Sequence, residues 1–96
     1  MQNEQFIMVS TFCENYHIDP SFIHSLNEYG LIEMNTIEEN DFIASDKVQE
    51  LEKFIHLHYD LEINIAGIDA IANLLERVKN LQDEIASLKN KLRMYE

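Results

Sequence analysis

The feature that most restricts how this chain can fold is an apolar repeat near its C-terminus. Ile71, Leu74, Val78, Leu81, Ile85, Leu88, Leu92 and Tyr95 follow one another at alternating spacings of three and four residues. Only an α-helix brings such positions onto one side, and the pattern is that of a coiled-coil seam. Ile71, Val78, Ile85 and Leu92 take the a positions, and Leu74, Leu81, Leu88 and Tyr95 the d positions. The seam extends for roughly 37 Å at about 1.5 Å per residue. Leu75 widens its first half, as a helix lying on its own domain requires. The second half has no counterpart in the residues that precede it. The spacing therefore predicts a dimerisation helix over residues 66–96, most simply pairing two copies of the chain. Gly67 lies one heptad before Leu74 and leaves room for a close backbone approach.

The charges along the seam leave the orientation open. β-Branched a residues with Leu at d favour a parallel pair. A parallel pair would match Glu84 with Lys89 and Lys91 with Glu96, whereas an antiparallel one would match Glu84 with Lys91.

Residues 1–65 read as a separate, mainly helical domain. Gly (2) and Pro (1) are too scarce for the turns of an all-β fold. Phe6–Val9 is a short apolar run, either a strand or the lead-in to a helix. Thr11 and Glu14 have capping-box spacing, which predicts a helix from Ser10 or Thr11 to about Tyr16. Asp19 is a good N-cap, and Pro20 suits the first helical position because its missing N–H would be unpaired there. The second helix then runs to about Tyr29 with Ile23 and Leu26 inward, and Gly30 closes it.

Two short helices about a tight turn outline a helix-turn-helix. Leu31–Met34 and Asp41–Ile43, flanking the polar stretch Asn35–Asn40, read as a small hairpin, the wing of a winged helix-turn-helix. Asp46 and Gln49 again have capping-box spacing. A third helix with Val48, Leu51, Ile55 and His58 on one face follows, as far as about Asp60. Leu61–Ile65 is a break, with Asn64 as cap of the last helix.

A chain of 96 residues supports one compact domain, whose own core is marginal. The single Cys13 rules out an internal disulfide and fits a reducing compartment. The N-terminus does not read as a signal peptide, and no stretch approaches a membrane span. The expected location is cytoplasmic.

The net charge of −11 is unevenly placed. Residues 1–46 hold nine acids and no Lys or Arg, whereas residues 47–96 hold nine acids and all seven bases. Such a field repels phosphate and steers basic protein surfaces inward. On the second helix the outward positions are Ser21, His24, Ser25, Asn27 and Glu28, and the wing carries Glu33, Glu38, Glu39 and Asp41. A DNA reader draws most of its affinity from Lys and Arg contacts to phosphate, and this surface has none.

The remaining candidate chemistry is sparse. Cys13 and His17, four apart, with His24 nearby, form a weak metal pattern; a buried Cys and a helix-end His are the expectation. His56 and His58 do not share a helix face, and one is expected partly buried, the other solvated. No nucleophile motif, phosphate loop or dinucleotide fingerprint occurs, so neither catalysis nor a cofactor is expected.

Phe12-Cys13, Ile18-Asp19-Pro20 and Glu28-Tyr29-Gly30-Leu31-Ile32-Glu33 resemble the start of MerR-type helix-turn-helix domains. Leu57 through Ile68, above all Asp60-Leu61-Glu62-Ile63-Asn64-Ile65-Ala66-Gly67-Ile68, followed by Leu74-Leu75, resembles the chaperone-modulator CbpM family. The resemblance covers nearly the whole chain. MerR-type DNA binders usually carry Arg, an aromatic pair and another base after the Pro; here Ser21, His24, Ser25, Leu26 and Glu28 stand instead.

The resemblance implies a protein that binds the J-domain of a DnaJ-like, CbpA-type co-chaperone and keeps it from a DnaK-type chaperone. The J-domain surface concerned is basic, which suits an acidic partner. It also implies a homodimer through an antiparallel pairing of the last helix. From charge and exposure, the J-domain contact is expected at His24, Asn27, Glu28, Glu33, Glu38, Glu39 and Asp41. The alternatives are a MerR-type transcriptional regulator that still binds DNA and a bare dimerisation adaptor.

Overall fold

The computed structural model describes residues 5–95. In order these form β1 (Phe6–Met8), α1 (Val9–Tyr16), α2 (Pro20–Glu28), β2 (Asn35–Ile37), β3 (Asn40–Ala44), α3 (Val48–Ile55) and α4 (Ile65–Arg93). A 3-10 turn at Ser45–Lys47 leads into α3, and a π-helical turn at His56–Asp60 follows it. The fold is thus a mainly helical head with a small sheet, followed by one long helix.

The apolar run at the N-terminus serves both expected roles: Phe6–Met8 is a strand, and Val9 opens α1 directly. The capping box at Thr11 is consequently not used. The N-cap is Met8, whose side chain makes no capping bond, because strand pairing already fixes the chain there. α1 closes with His17 in the left-handed conformation (φ 55°), and Ile18 N–H returns to the Cys13 carbonyl at 3.1 Å.

The start of α2 follows its local chemistry. Asp19 Oδ1 accepts from Ser21 N–H at 2.9 Å, with Pro20 in the first turn. At its end Gly30 has φ 76°; Leu31 N–H bonds to Leu26 O at 2.9 Å and Gly30 N–H to Asn27 O at 3.0 Å. This is a Schellman closure, which needs a left-handed residue where Gly30 stands.

The wing lies later in the chain than its apolar flanks suggest. Leu31–Met34 is not a strand: Ile32 is buried in the core and Met34 packs on it. The hairpin is made by the polar residues themselves, with Asn35 opposite Phe42 and Ile37 opposite Asn40, turning at Glu38-Glu39. Both turn residues have positive φ, 49° and 68°, the geometry of a two-residue type I′ turn. β1 joins the other side of β3, giving the antiparallel order β1-β3-β2.

Ile23, Leu26, Ile43, Leu51 and Ile68 are completely buried and, with Val9 and Phe12 of α1, tie both small helices, the sheet, α3 and the first turn of α4 into one core. α3 has no side-chain cap, because the 3-10 turn supplies its entry and leaves the Asp46–Gln49 spacing unused. Its second buried residue is Phe54, with Ile55 only half-buried. His58 lies half-buried against Phe22, ring centroids 4.6 Å apart, and its Nδ1 is 2.9 Å from Ile63 O. His56 is exposed beside Asp60 at 2.7 Å.

Asn64 caps α4 as its position suggests, Oδ1 accepting from Gly67 N–H at 2.8 Å. The close approach at Gly67 is internal: a Cβ there would stand 2.7 Å from Ile63 Cγ2. α4 carries five of the seven bases: Arg77, Lys79, Lys89, Lys91 and Arg93. No helix among the described residues is long and apolar enough to cross a membrane.

Candidate functional site: an acidic wing and a bare helix

The seven acidic and polar positions expected to contact a partner do not form one surface. His24 on α2 and Asp41 on β3 meet across the head, Nε2 to Oδ2 at 3.8 Å. Asp41 also accepts from Thr36 Oγ1 at 2.7 Å, so the base of the wing is held by its own side chains. With Glu39 they line a groove of about 200 Å³ that Ser10 and Pro20 complete. Glu38 shares the exposed turn with Glu39, and Glu28 is exposed at the end of α2.

Glu33 lies apart from this group. It lines a different groove, of about 600 Å³, with Phe6, Ile37, Asp46 and Lys47. Asn27 is half-buried, and its Oδ1 accepts from Met34 N–H at 3.3 Å, so it braces the loop into the wing.

Asp19 titrates below the usual carboxylate range because Ser21 N–H, and then its side chain, hydrogen-bond it. Tyr16 donates to Glu52 Oε2 at 2.7 Å, which pushes its hydroxyl pKa up. The Cys13 thiol is raised by burial and secondarily by Asp19. A raised, buried thiol is a poor nucleophile and a poor ligand. His17, its sequence neighbour four residues on, is exposed at the end of α1.

The seam residues of α4 behave differently from every apolar residue of the core. Ile71 is half-buried, while Leu74, Val78, Leu81, Ile85, Leu88 and Leu92 are exposed, by 48% to 65% of their surface. Helix α4 ends at Arg93, so Tyr95 stands just past it. Leu75 and Ile71 face α3 across a groove of about 580 Å³ that Leu57 and Glu52 also line. Sequence reasoning missed this groove, because its walls come from two elements whose crossing is a tertiary fact. It also missed the exposed pair Phe6 and Ile37, which sit on strands too short to show an alternation.

The family of MerR helix-turn-helix regulatory proteins matches residues 7–90. The chain belongs to this family. The match spans the two short helices, the wing, α3 and most of α4. Among curated proteins, the chain is similar to the chaperone modulatory protein CbpM of Pseudomonas entomophila (strain L48), 25% identical over 83 residues, covering 85% of this chain and 82% of that protein. The CbpM proteins of Pseudomonas putida strains KT2440 and W619 are similar at the same identity and coverage. The likeness to the CbpM family seen in Asp60–Ile68 thus extends over most of the chain. No solved structure matches it.

Proposed function

We propose that this protein is a non-enzymatic chaperone modulator. It binds the J-domain of a DnaJ-like, CbpA-type co-chaperone and blocks that domain's engagement with a DnaK-type chaperone. The observation that carries this reading is a helix-turn-helix from which the phosphate-binding bases are missing, in a chain similar to proteins named chaperone modulators. An acidic head attracts a basic partner at long range and speeds encounter.

Two copies of the chain pair through α4, with Ile71, Leu74, Val78, Leu81, Ile85, Leu88, Leu92 and Tyr95 in the seam. The uncovered second half of that helix supports the pairing, since a contiguous apolar stripe of this length marks an interaction surface. An isolated helix also gains little from propensity alone and needs a packed face.

The deciding experiment is a titration of this protein against the J-domain of the DnaJ-like co-chaperone from the same cell. Saturable binding that competes with the DnaK-type chaperone is the expected result. No binding at about tens of micromolar would overturn the proposal. Replacing Glu28, Glu38 and Glu39 together by Lys should slow association and flatten its dependence on salt.

The family match favours one rival, a MerR-type regulator that still binds DNA. Duplex binding that weakens steeply with salt, at about physiological ionic strength, would support it.

A further inference from the structure

The small sheet has two faces, and only one of them belongs to the core. Alternation along β3 turns Ile43 inward, where it is completely buried, and sends Phe42 and Ala44 outward. The register puts Phe6 opposite Ala44 on one side of β3. It puts Ile37 opposite Asn40 on the other. Phe6 and Ile37 therefore stand on the outward face, 42% and 53% exposed. Between them runs the groove of about 600 Å³ whose rim holds Glu33 and Asp46, with Lys47 its one base.

This combination is absent from the smaller groove beside His24. That groove offers Glu39 and Asp41 but no exposed large apolar side chain. Charges on a rim mainly set association rate, whereas affinity comes from apolar anchors that become desolvated at the centre of a contact. The outward sheet face has both parts, an apolar floor and an acidic rim.

Its chemistry also selects the occupant. A second copy docking head to head would bring the acids of its own head against Glu33 and Asp46. A nucleic-acid backbone would meet the same repulsion. A basic, amphipathic protein surface satisfies floor and rim together. We propose that the outward sheet face, with Phe6 and Ile37 as anchors and Glu33 and Asp46 as the charged rim, is where the basic surface of the J-domain docks. The inference rests on the functional reading above and names the face through which it operates.

The test compares variants of the full chain against the isolated J-domain. Each variant is first checked for an unchanged thermal melt and an unchanged mass in solution. Ile37→Ser and Phe6→Ser should each weaken binding by about tenfold or more. The double variant Glu33→Lys and Asp46→Lys, outside every strand and α-helix, should slow association and reduce its salt dependence. It keeps the test decisive if an anchor variant fails to fold.

If the parent chain does not bind the J-domain, the functional reading falls and this inference with it. If the parent binds and both the Ile37→Ser and double Lys variants bind equally well, the docking face lies elsewhere while the reading stands. If the anchor variants change the mass in solution, the face joins copies of the chain and the inference is overturned.

Discussion

The head and the tail of this molecule both carry regular apolar side chains, but they dispose of them differently. In the head, Ile23, Leu26, Ile43 and Leu51 are completely buried, and they come from three elements, α2, β3 and α3. Along α4, burial stops after the first two turns: Ile68 is completely buried and Ala72 half-buried, whereas Leu81, Leu88 and Leu92 are more than half exposed. Side chains of the same type thus serve two ends. In the head they close a structure upon itself. In the tail they form an apolar surface that no other described part of the chain covers. One helix performs both roles, its N-terminal turns belonging to the core and its remainder lying exposed.

The largest effect that would break this contrast is a cavity in the head. Leu26→Ala should cost about 3 kcal/mol or more, because the site is completely buried and walled by several elements. Urea unfolding should show it as a lower midpoint with an unchanged slope. A comparable loss from Leu88→Ala at very low protein concentration would mean that the tail is packed within its own chain.

Next in size is the effect on self-association. Leu81→Lys together with Leu88→Lys should weaken pairing by roughly 4 kcal/mol or more, since two apolar contacts are removed from each copy. Sedimentation should report monomers, while the head keeps its near-native spectrum. The parent protein should melt at a temperature that rises with concentration, and this variant should not.

Smaller effects sharpen the junction and the caps. Asn64→Ala removes the cap of α4 and should cost about 1 kcal/mol. Acid should loosen the start of α2 in a definite direction. The Asp19 pKa is lowered in the folded state, so its stabilising contribution is complete above the ordinary Asp range and is lost as pH falls through the depressed value. Asp19→Ala should flatten the pH dependence of stability in that acidic window.

The smallest change should be a gain. Glu38→Asn with Glu39→Gly places the preferred pair at a turn where both residues have positive φ, and should stabilise the head by about 1 kcal/mol.

How much of this was visible in the sequence depends on whether the deciding interaction is local. The Asp19-Pro20 cap, the Gly30 closure and the Asn64 cap each lie within a few residues of the atoms they satisfy, and each was legible. The capping boxes at Thr11 and Asp46 are equally local, but strand pairing in one case and a 3-10 entry in the other fixed the chain first. The wing was legible as a hairpin but displaced, because β2 is an all-exposed strand whose polar Asn35 and Thr36 give no apolar signal. Its Glu38-Glu39 turn also lacks the usual Asn-Gly signature.

The acidic character of the candidate surface followed from composition. Its division into two grooves did not, because only the register of β3 puts Glu33 beside Phe6 and Asp41 beside His24. Phe54, which the spacing did not single out, joins Leu51 in the fully buried core, while Ile55 packs half-buried against it.

The uneven distribution of bases has a further consequence, for proteolysis. Trypsin cleaves after Lys and Arg, so residues 1–46 offer it no site, and five of the seven sites in the chain fall on α4 between Arg77 and Arg93. Digestion of this protein is therefore mostly a reading of the tail: anything that covers α4 should slow it, while Lys47 and Lys53 are the sites left in the head and the acidic wing passes through uncut.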